Sequence, residues 1–191
     1  LRNELSEVAT LKKTVFLTGA TGFIGTQIAR QLLATDEVTV LALVRATDYE
    51  KAERKLAREW WDWPELIEAL NSRIKVVCGD ICQQNLGLTE EAYSDLTKRI
   101  THIIHTAADW RIVSLEELRK TNVQGTQNVL DLARRTNAHH RLERFSHIST
   151  AYVAGGRTGA VPEDALTDQF RFFTAYEQSK YEGELLVQAI K

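Results

Sequence analysis

The run Thr14-Val15-Phe16-Leu17-Thr18-Gly19-Ala20-Thr21-Gly22-Phe23-Ile24-Gly25 decides the fold. Lys12 to Thr18 carries a β-branched and aromatic stretch that reads as a strand, and Phe23 to Leu33 follows with apolar residues at helical spacing. Gly19, Gly22 and Gly25 stand between and just inside them, so the order is strand, glycine turn, helix. Gly19 permits the tight turn, Gly22 lets the backbone approach a pyrophosphate, and Gly25 lets the helix pack close to the sheet. The free amides and positive dipole end of the helix then face an anion. Thr18, Gly19, Thr21, Gly22, Phe23, Ile24 and Gly25 are therefore candidates for holding the pyrophosphate of a dinucleotide. A glycine turn alone is a weak sign; the strand before it and the amphipathic helix after it give it weight.

Outward from this unit the same alternation repeats. Val38 to Val44 is a continuous apolar run, as expected of a parallel strand buried on both faces. Asp48 to Leu70 reads as a helix ending near Asn71. Ile74 to Cys78, His102 to His105 and Leu142 to Ile148 supply a third, fourth and fifth strand. Helical patterns separate them at Thr89 to Lys98 and Leu115 to Arg135, and a last one runs from about Ala175. This order predicts an α/β fold, a Rossmann-like doubly wound parallel sheet with helices on both faces, over residues 1–191. The glycine-rich segment Ala154 to Gln169 is the longest loop and lies where a substrate crevice is expected.

Composition is that of a soluble globular chain, with 43% hydrophobic and 26% charged residues. A net charge of −2 predicts no electrostatic attraction to nucleic acid or to an anionic membrane. The two cysteines, Cys78 and Cys82, give no disulfide framework, no run is long enough to span a bilayer, and Leu1 to Thr10 is too polar for a signal peptide. A cytoplasmic location is expected. The chain lacks methionine and stops at Lys191 inside a helical pattern with no capping glycine, so a fragment of a longer protein is expected, with the carboxyl-terminal substrate lobe missing.

The remaining candidates sit at strand ends. A site preferring NAD would place an acidic residue after the second strand, whereas Leu43-Val44-Arg45 ends in a guanidinium suited to a 2′-phosphate, which favours NADP(H). Arg54 and Lys55, in the next helix, are further candidates for that phosphate, unless they belong to a solvated face. Asp80 and the Ile81 amide, after the third strand, suit the adenine edge, although an Asp turn explains Asp80 equally well. Small Ala107 and Ala108 let the chain run close to the nicotinamide ribose. Tyr176 and Lys180 are spaced i and i+4, on one face of the last helix. A neighbouring ammonium favours the phenolate and makes a tyrosine a better acid–base group. Ser149 and Thr150 both bear hydroxyls that suit a substrate carbonyl oxygen; strand alternation aims only one of them at the site, and Thr150 is favoured.

TGATGFIG, GDI (Gly79 to Ile81), HTAA (His105 to Ala108), NVQGT (Asn122 to Thr126), HISTAYVAG (His147 to Gly155) and YEQSK fall in one order along nearly the whole chain. Together they resemble the extended short-chain dehydrogenase/reductase superfamily. The resemblance implies, in turn, a pyrophosphate loop, an adenine contact, a nicotinamide-side strand end, a structural or proton-relay asparagine at Asn122 counted with the cofactor-binding residues, a carbonyl-binding Thr150 and a Tyr176–Lys180 pair. LVRA (Leu43 to Ala46), Leu86-Gly87-Leu88 and Glu163-Asp164 after HISTAYVAG make the thioester reductase and fatty acyl-CoA reductase branch, the male-sterility type, the nearer likeness. That branch implies hydride transfer from NADPH to an acyl thioester, on coenzyme A or on an acyl-carrier domain of the same polypeptide, giving an aldehyde or alcohol. The alternatives are an NAD-dependent sugar-nucleotide epimerase or dehydratase and a non-catalytic cofactor-binding domain.

Other conspicuous residues have structural readings. Trp60, Trp61 and Trp63 suit packing better than a docking surface. Cys78 and Cys82 lack the partners of a zinc site. His139-His140 suits a solvated helix end, and His105 and His147 suit satisfied core histidines.

Overall fold

A computed structural model describes residues 13–35, 37–163 and 166–190. The polar stretch Leu1 to Thr10, Lys12 and Asp164 lie outside the described residues. Five strands form one sheet: β1 (Lys13–Thr18), β2 (Val38–Val44), β3 (Ile74–Cys78), β4 (His102–His105) and β5 (Arg144–His147). Their order is β3-β2-β1-β4-β5 and every pairing is parallel. The chain winds outward from β1 to β3, then returns to place β4 on the other side of β1. Ligand crevices form at such reversals.

Alternation along β1 divides the core in two. Val15 and Leu17 pack with Val40, Ala42 and Val44 beneath α1 (Phe23–Leu33), α2 (Tyr49–Glu59) and α3 (Pro64–Glu68). Phe16 points the other way, with Leu41, Leu43 and Ile103, onto α4 (Glu90–Arg99) and α6 (Thr126–His139). Both faces of the central strands are covered, which is why they read as unbroken apolar runs.

One helix expected as a single piece is broken, and another runs on through a π turn. The span Asp48 to Leu70 divides at Trp63-Pro64: Asp48 caps α2 by accepting from the Lys51 amide, and Trp63 takes φ −126°, ψ 78° before the proline that starts α3. A residue before proline is driven out of the helical region. The span Leu115 to Arg135 is one continuous helical run, α5 (Leu115–Arg119), a π-helical turn (Lys120–Gly125) and α6, which continues to His139. The wide turn lies where α7 (Ala175–Gln188) packs closest: a Cβ on Gly183 would sit 2.3 Å from the Asn122 carbonyl oxygen. The fifth strand is shorter than expected, ending at His147.

Candidate active site

At the carboxyl ends of β1 and β4 a cleft of about 950 Å³ opens. The glycine turn forms its floor. Gly19 has φ +73°, and a Cβ there would lie 2.4 Å from Thr106 Oγ1 and 2.7 Å from the Ala107 nitrogen. Glycine is thus required both by conformation and by the close approach of the two strands. At Gly25 a Cβ would lie 2.1 Å from the Gly19 carbonyl oxygen, which makes the first turn of α1 equally tight. Gly22 caps α1 without a side-chain hydrogen bond, and the first turn holds no acidic residue. The leading amides therefore remain available to an anion. Behind the turn, fully buried Trp60 donates from Nε1 to the Ala20 carbonyl and to Thr26 Oγ1, each at 3.1 Å.

Arg45 and Lys55 stand in the cleft at the end of β2 with Leu43, and Lys55 Nζ donates to the Arg45 carbonyl at 3.2 Å. Arg54 does not reach the cleft. One position along a helix is a rotation of about 100°, and Arg54 pairs instead with Glu50 on the exposed face at 3.9 Å. Asp80, Ile81 and Cys82 line the wall beyond, where Asp80 Oδ1 accepts from the Cys82 amide at 2.9 Å in an Asp turn. The cradle a Cβ would fill, the uncapped helix and this basic pair together fit a dinucleotide.

Across the cleft Thr106, Ala107, Ala108, Asp109, Trp110 and Arg111 continue from β4. Arg111 grips Asp109 with both Nε and Nη2, at 3.0 and 2.6 Å, and this hydrogen bonding holds the Asp109 carboxyl below its usual range. Asn122, expected beside the cofactor, is instead buried behind this wall. Its side chain accepts from the Asp109 amide at 2.7 Å and donates to the Asp109 carbonyl at 2.8 Å and to Ser179 Oγ at 2.9 Å. It clamps the segment after β4 to α7 and does not line the cleft.

Tyr176 and Lys180 both reach the cleft from α7. The helix starts with a reciprocal cap between Thr174 and Glu177, which sets the register of the pair. Lys180 is 2% exposed and donates from Nζ to the Ile148 carbonyl at 2.9 Å. Burial pushes its pKa down from 10.5 to about 8, against an opposing pull from Glu184. Ser149, rather than Thr150, lines the cleft, and its hydroxyl donates to Glu184. The strand has already ended at His147, so the alternation that favoured Thr150 does not extend to these residues. Thr150 Oγ1 accepts from the Tyr152 amide at 3.3 Å and caps a short 3₁₀ turn (Ala151–Ala154), which places Thr150 one residue past the cleft wall.

Beneath the floor lies a buried polar chain. Thr126 Oγ1 donates to the Asn122 carbonyl at 2.8 Å, so His105 Nε2, 3.1 Å from Thr126 Oγ1, carries the proton. His105 Nδ1 then accepts from Thr18 Oγ1 at 2.7 Å. His105 is the satisfied core histidine expected. His147 is not: neither ring nitrogen has a hydrogen-bond partner among the described residues, and the ring lies tilted by 36° against His105, centroids 5.3 Å apart. Burial, then the nearby Lys180, lowers its pKa from 6.5 to about 4. Of the tryptophans, Trp60 is buried and Trp63 lies under the Arg30 guanidinium at 3.6 Å, while Trp61 is exposed. Cys78 and Cys82 are half-buried free thiols, and no metal-binding cluster exists among the described residues. Sequence reasoning missed the walls supplied by Thr106, Trp110, Arg111 and Cys82; their positions just after strand ends were the available signal.

The family model for male sterility protein, an NAD-binding domain, matches residues 17–191. The chain belongs to this family. It is 34% identical, over 94% of its length, to the L-2-aminoadipate reductase large subunit of Penicillium chrysogenum, of which it spans 14%. Among solved structures, the terminal R domain of the myxalamid PKS-NRPS biosynthetic pathway superposes with a TM-score of 0.84 at 32% identity, over 95% of this chain and 46% of that one. The UDP-glucuronic acid 4-epimerase of Bacillus cereus, in complex with NAD, superposes with a TM-score of 0.67 at 27% identity, over 92% and 51%. The male sterility domain here thus spans less than half the length of that R domain. No described helix is long and apolar enough to cross a membrane.

Proposed function

We propose that the chain is the cofactor-binding and proton-transfer part of an NADPH-dependent reductase acting on acyl thioesters, carried by coenzyme A or by an acyl-carrier domain. The observation that carries this reading is the meeting of Tyr176 and Lys180 with the glycine cradle in one cleft. Arg45 and Lys55 supply positive charge for a 2′-phosphate, and the α1 amides for the pyrophosphate. Bound there, the nicotinamide group supplies the hydride. Tyr176 donates its hydroxyl proton toward the substrate carbonyl oxygen, and the Lys180 ammonium favours the phenolate left behind. Ser149, the hydroxyl that lines the cleft, is bonded to Glu184, and Thr150 follows it one residue past the wall. The relatives named as L-2-aminoadipate reductase and terminal R domain favour the thioester as substrate. The likeness to an epimerase in complex with NAD gives the second reading, a sugar-nucleotide epimerase that retains NAD.

A protein containing this chain, supplied with NADPH and carrier-bound or coenzyme A-bound acyl groups, is expected to consume NADPH and release an aldehyde or alcohol. Tyr176→Phe should lower turnover by about 10²- to 10⁴-fold. Absence of NADPH consumption with acyl thioesters, together with tightly held NAD in the purified protein, would overturn the reading in favour of the epimerase.

A further inference from the structure

Tyr176, Lys180 and Glu184 stand at intervals of four on α7, one above another on the face turned toward the end of β5. The first two belong to the proton-transfer pair. Glu184 has no part in the mechanism so far, yet it accepts a hydrogen bond from Ser149 through Oε2 and one from Gln188 through Oε1, the latter at 3.2 Å. Ile148 and Ser149, consecutive cleft-wall residues, are thus each held by this stripe: Ile148 through its carbonyl to Lys180 and Ser149 through its hydroxyl to Glu184. Thr150 is the next residue of the same segment.

The surroundings of Lys180 give the carboxylate a second task. An ammonium 2% exposed has lost most of its hydration and needs a counter-charge. The groups facing it from β4 and β5 are His105 and His147, both driven toward the neutral form and supplying no negative charge. On its own helix the titratable neighbours one turn away are Tyr176, Glu177 and Glu184, and the Glu177 carboxylate is taken up by the Phe173 and Thr174 amides. Glu184, one turn on from Lys180 and bonded to the residue next to the one Lys180 holds, makes no direct ion pair with the ammonium but pulls its pKa upward against burial.

We propose that Glu184 is a positioning residue for the proton-transfer pair: it supplies the counter-charge of the buried Lys180 ammonium and, through Ser149, fixes the segment that carries Thr150. The inference rests on the reductase reading for its catalytic consequence but not for its electrostatic one. Without the carboxylate, Lys180 loses its proton at lower pH, and the phenolate loses its partner at that pH.

The test compares wild type, Glu184→Gln and Glu184→Asp in a protein containing this chain, with two readouts. The first is the titration of Lys180 by NMR of side chains labelled with carbon-13 at lysine, assigned with Lys180→Met. The second is NADPH-dependent turnover against pH. Glu184→Gln keeps an acceptor for Ser149 and removes the charge, so the Lys180 midpoint should fall by about half to one pH unit. The alkaline limb of turnover should move down by the same interval. Glu184→Asp should keep the midpoint close to wild type, which separates charge from side-chain shape. A Lys180 midpoint unchanged in Glu184→Gln would overturn the proposal. Failure of the reductase reading would look different: wild type would turn over no NADPH while the midpoint still shifted.

Discussion

Replacing Trp60 with phenylalanine probes the brace behind the glycine turn. The indole is fully buried, and Nε1 donates to the Ala20 carbonyl and to Thr26 Oγ1, both part of the turn and the first helical turn that follow β1. Thr26 Oγ1 donates to the Gly22 carbonyl at 2.9 Å and lies 3.3 Å from the Ala20 carbonyl, so its one hydrogen can turn to Ala20 when the indole donor is removed. The hydrogen-bond loss is therefore an ordinary one of about 1 kcal/mol. The smaller ring leaves a void, and lost transfer energy plus the void adds about 1–2 kcal/mol. The expected destabilisation is about 2–3 kcal/mol, or about 5–10 °C in Tm for a chain of this size. Urea unfolding followed by far-ultraviolet circular dichroism measures it without relying on the fluorophore being removed. Trp61→Phe is the control: Trp61 is 74% exposed, and its replacement should stay within about 0.5 kcal/mol of wild type. If Trp60→Phe also stayed within that margin, the indole would be filling space without bracing the turn.

Further outcomes follow from the same geometry. Gly19→Ala places a methyl group on Thr106 and the Ala107 backbone at a φ of +73°, so stability should fall by about 2–4 kcal/mol and NADPH binding should be lost with it; a soluble variant binding NADPH as wild type does would contradict the cradle. Arg45→Ala should weaken NADPH binding by about tenfold or more and leave NADH binding nearly unchanged, as one charge-assisted hydrogen bond requires; equal loss for both cofactors would remove the 2′-phosphate argument. His147 titrates near 4 in the folded chain against 6.5 in the reference state. The unfolded chain therefore takes up a proton that the folded chain refuses, and stability should drop as pH falls from about 6.5 toward 4. His147→Phe should flatten that slope in urea titrations at stepped pH, with His105 supplying the remainder; an unchanged slope would show that His147 stays accessible to protons.

What could be read from the sequence was what local chemistry dictates. β1, the glycine turn and α1 are specified by residues within one stretch, and β2 betrays its two-sided burial in an unbroken apolar run. The Pro64 signal was present too, but the apolar spacing on either side of it suggested one helix where there are two. The π turn at Lys120–Gly125 had no local sign, because it accompanies the close approach of Gly183 to Asn122, 61 positions later in the chain. For the same reason Asn122 was assigned to the cofactor: its clamp on Asp109 and Ser179 exists only after β4 and α7 have come together. Spacing placed Tyr176 and Lys180 on one face correctly, since both lie inside a regular helix. It misdirected Thr150, since the strand rule was carried past the end of the strand. Adjacent Arg54 and Lys55 were indistinguishable by composition, and only the orientation of α2 sends one to the cleft and the other to solvent.

On the proposed reading, the cleft between β1 and β4 takes a nicotinamide dinucleotide, and Arg45 favours the 2′-phosphate. Isothermal titration of the chain with NADPH and then with NADH tests it directly. NADPH should bind saturably at one site per chain, more tightly than NADH. Absence of NADPH binding by a folded chain would contradict the site, and equal affinity for the two cofactors would contradict the preference.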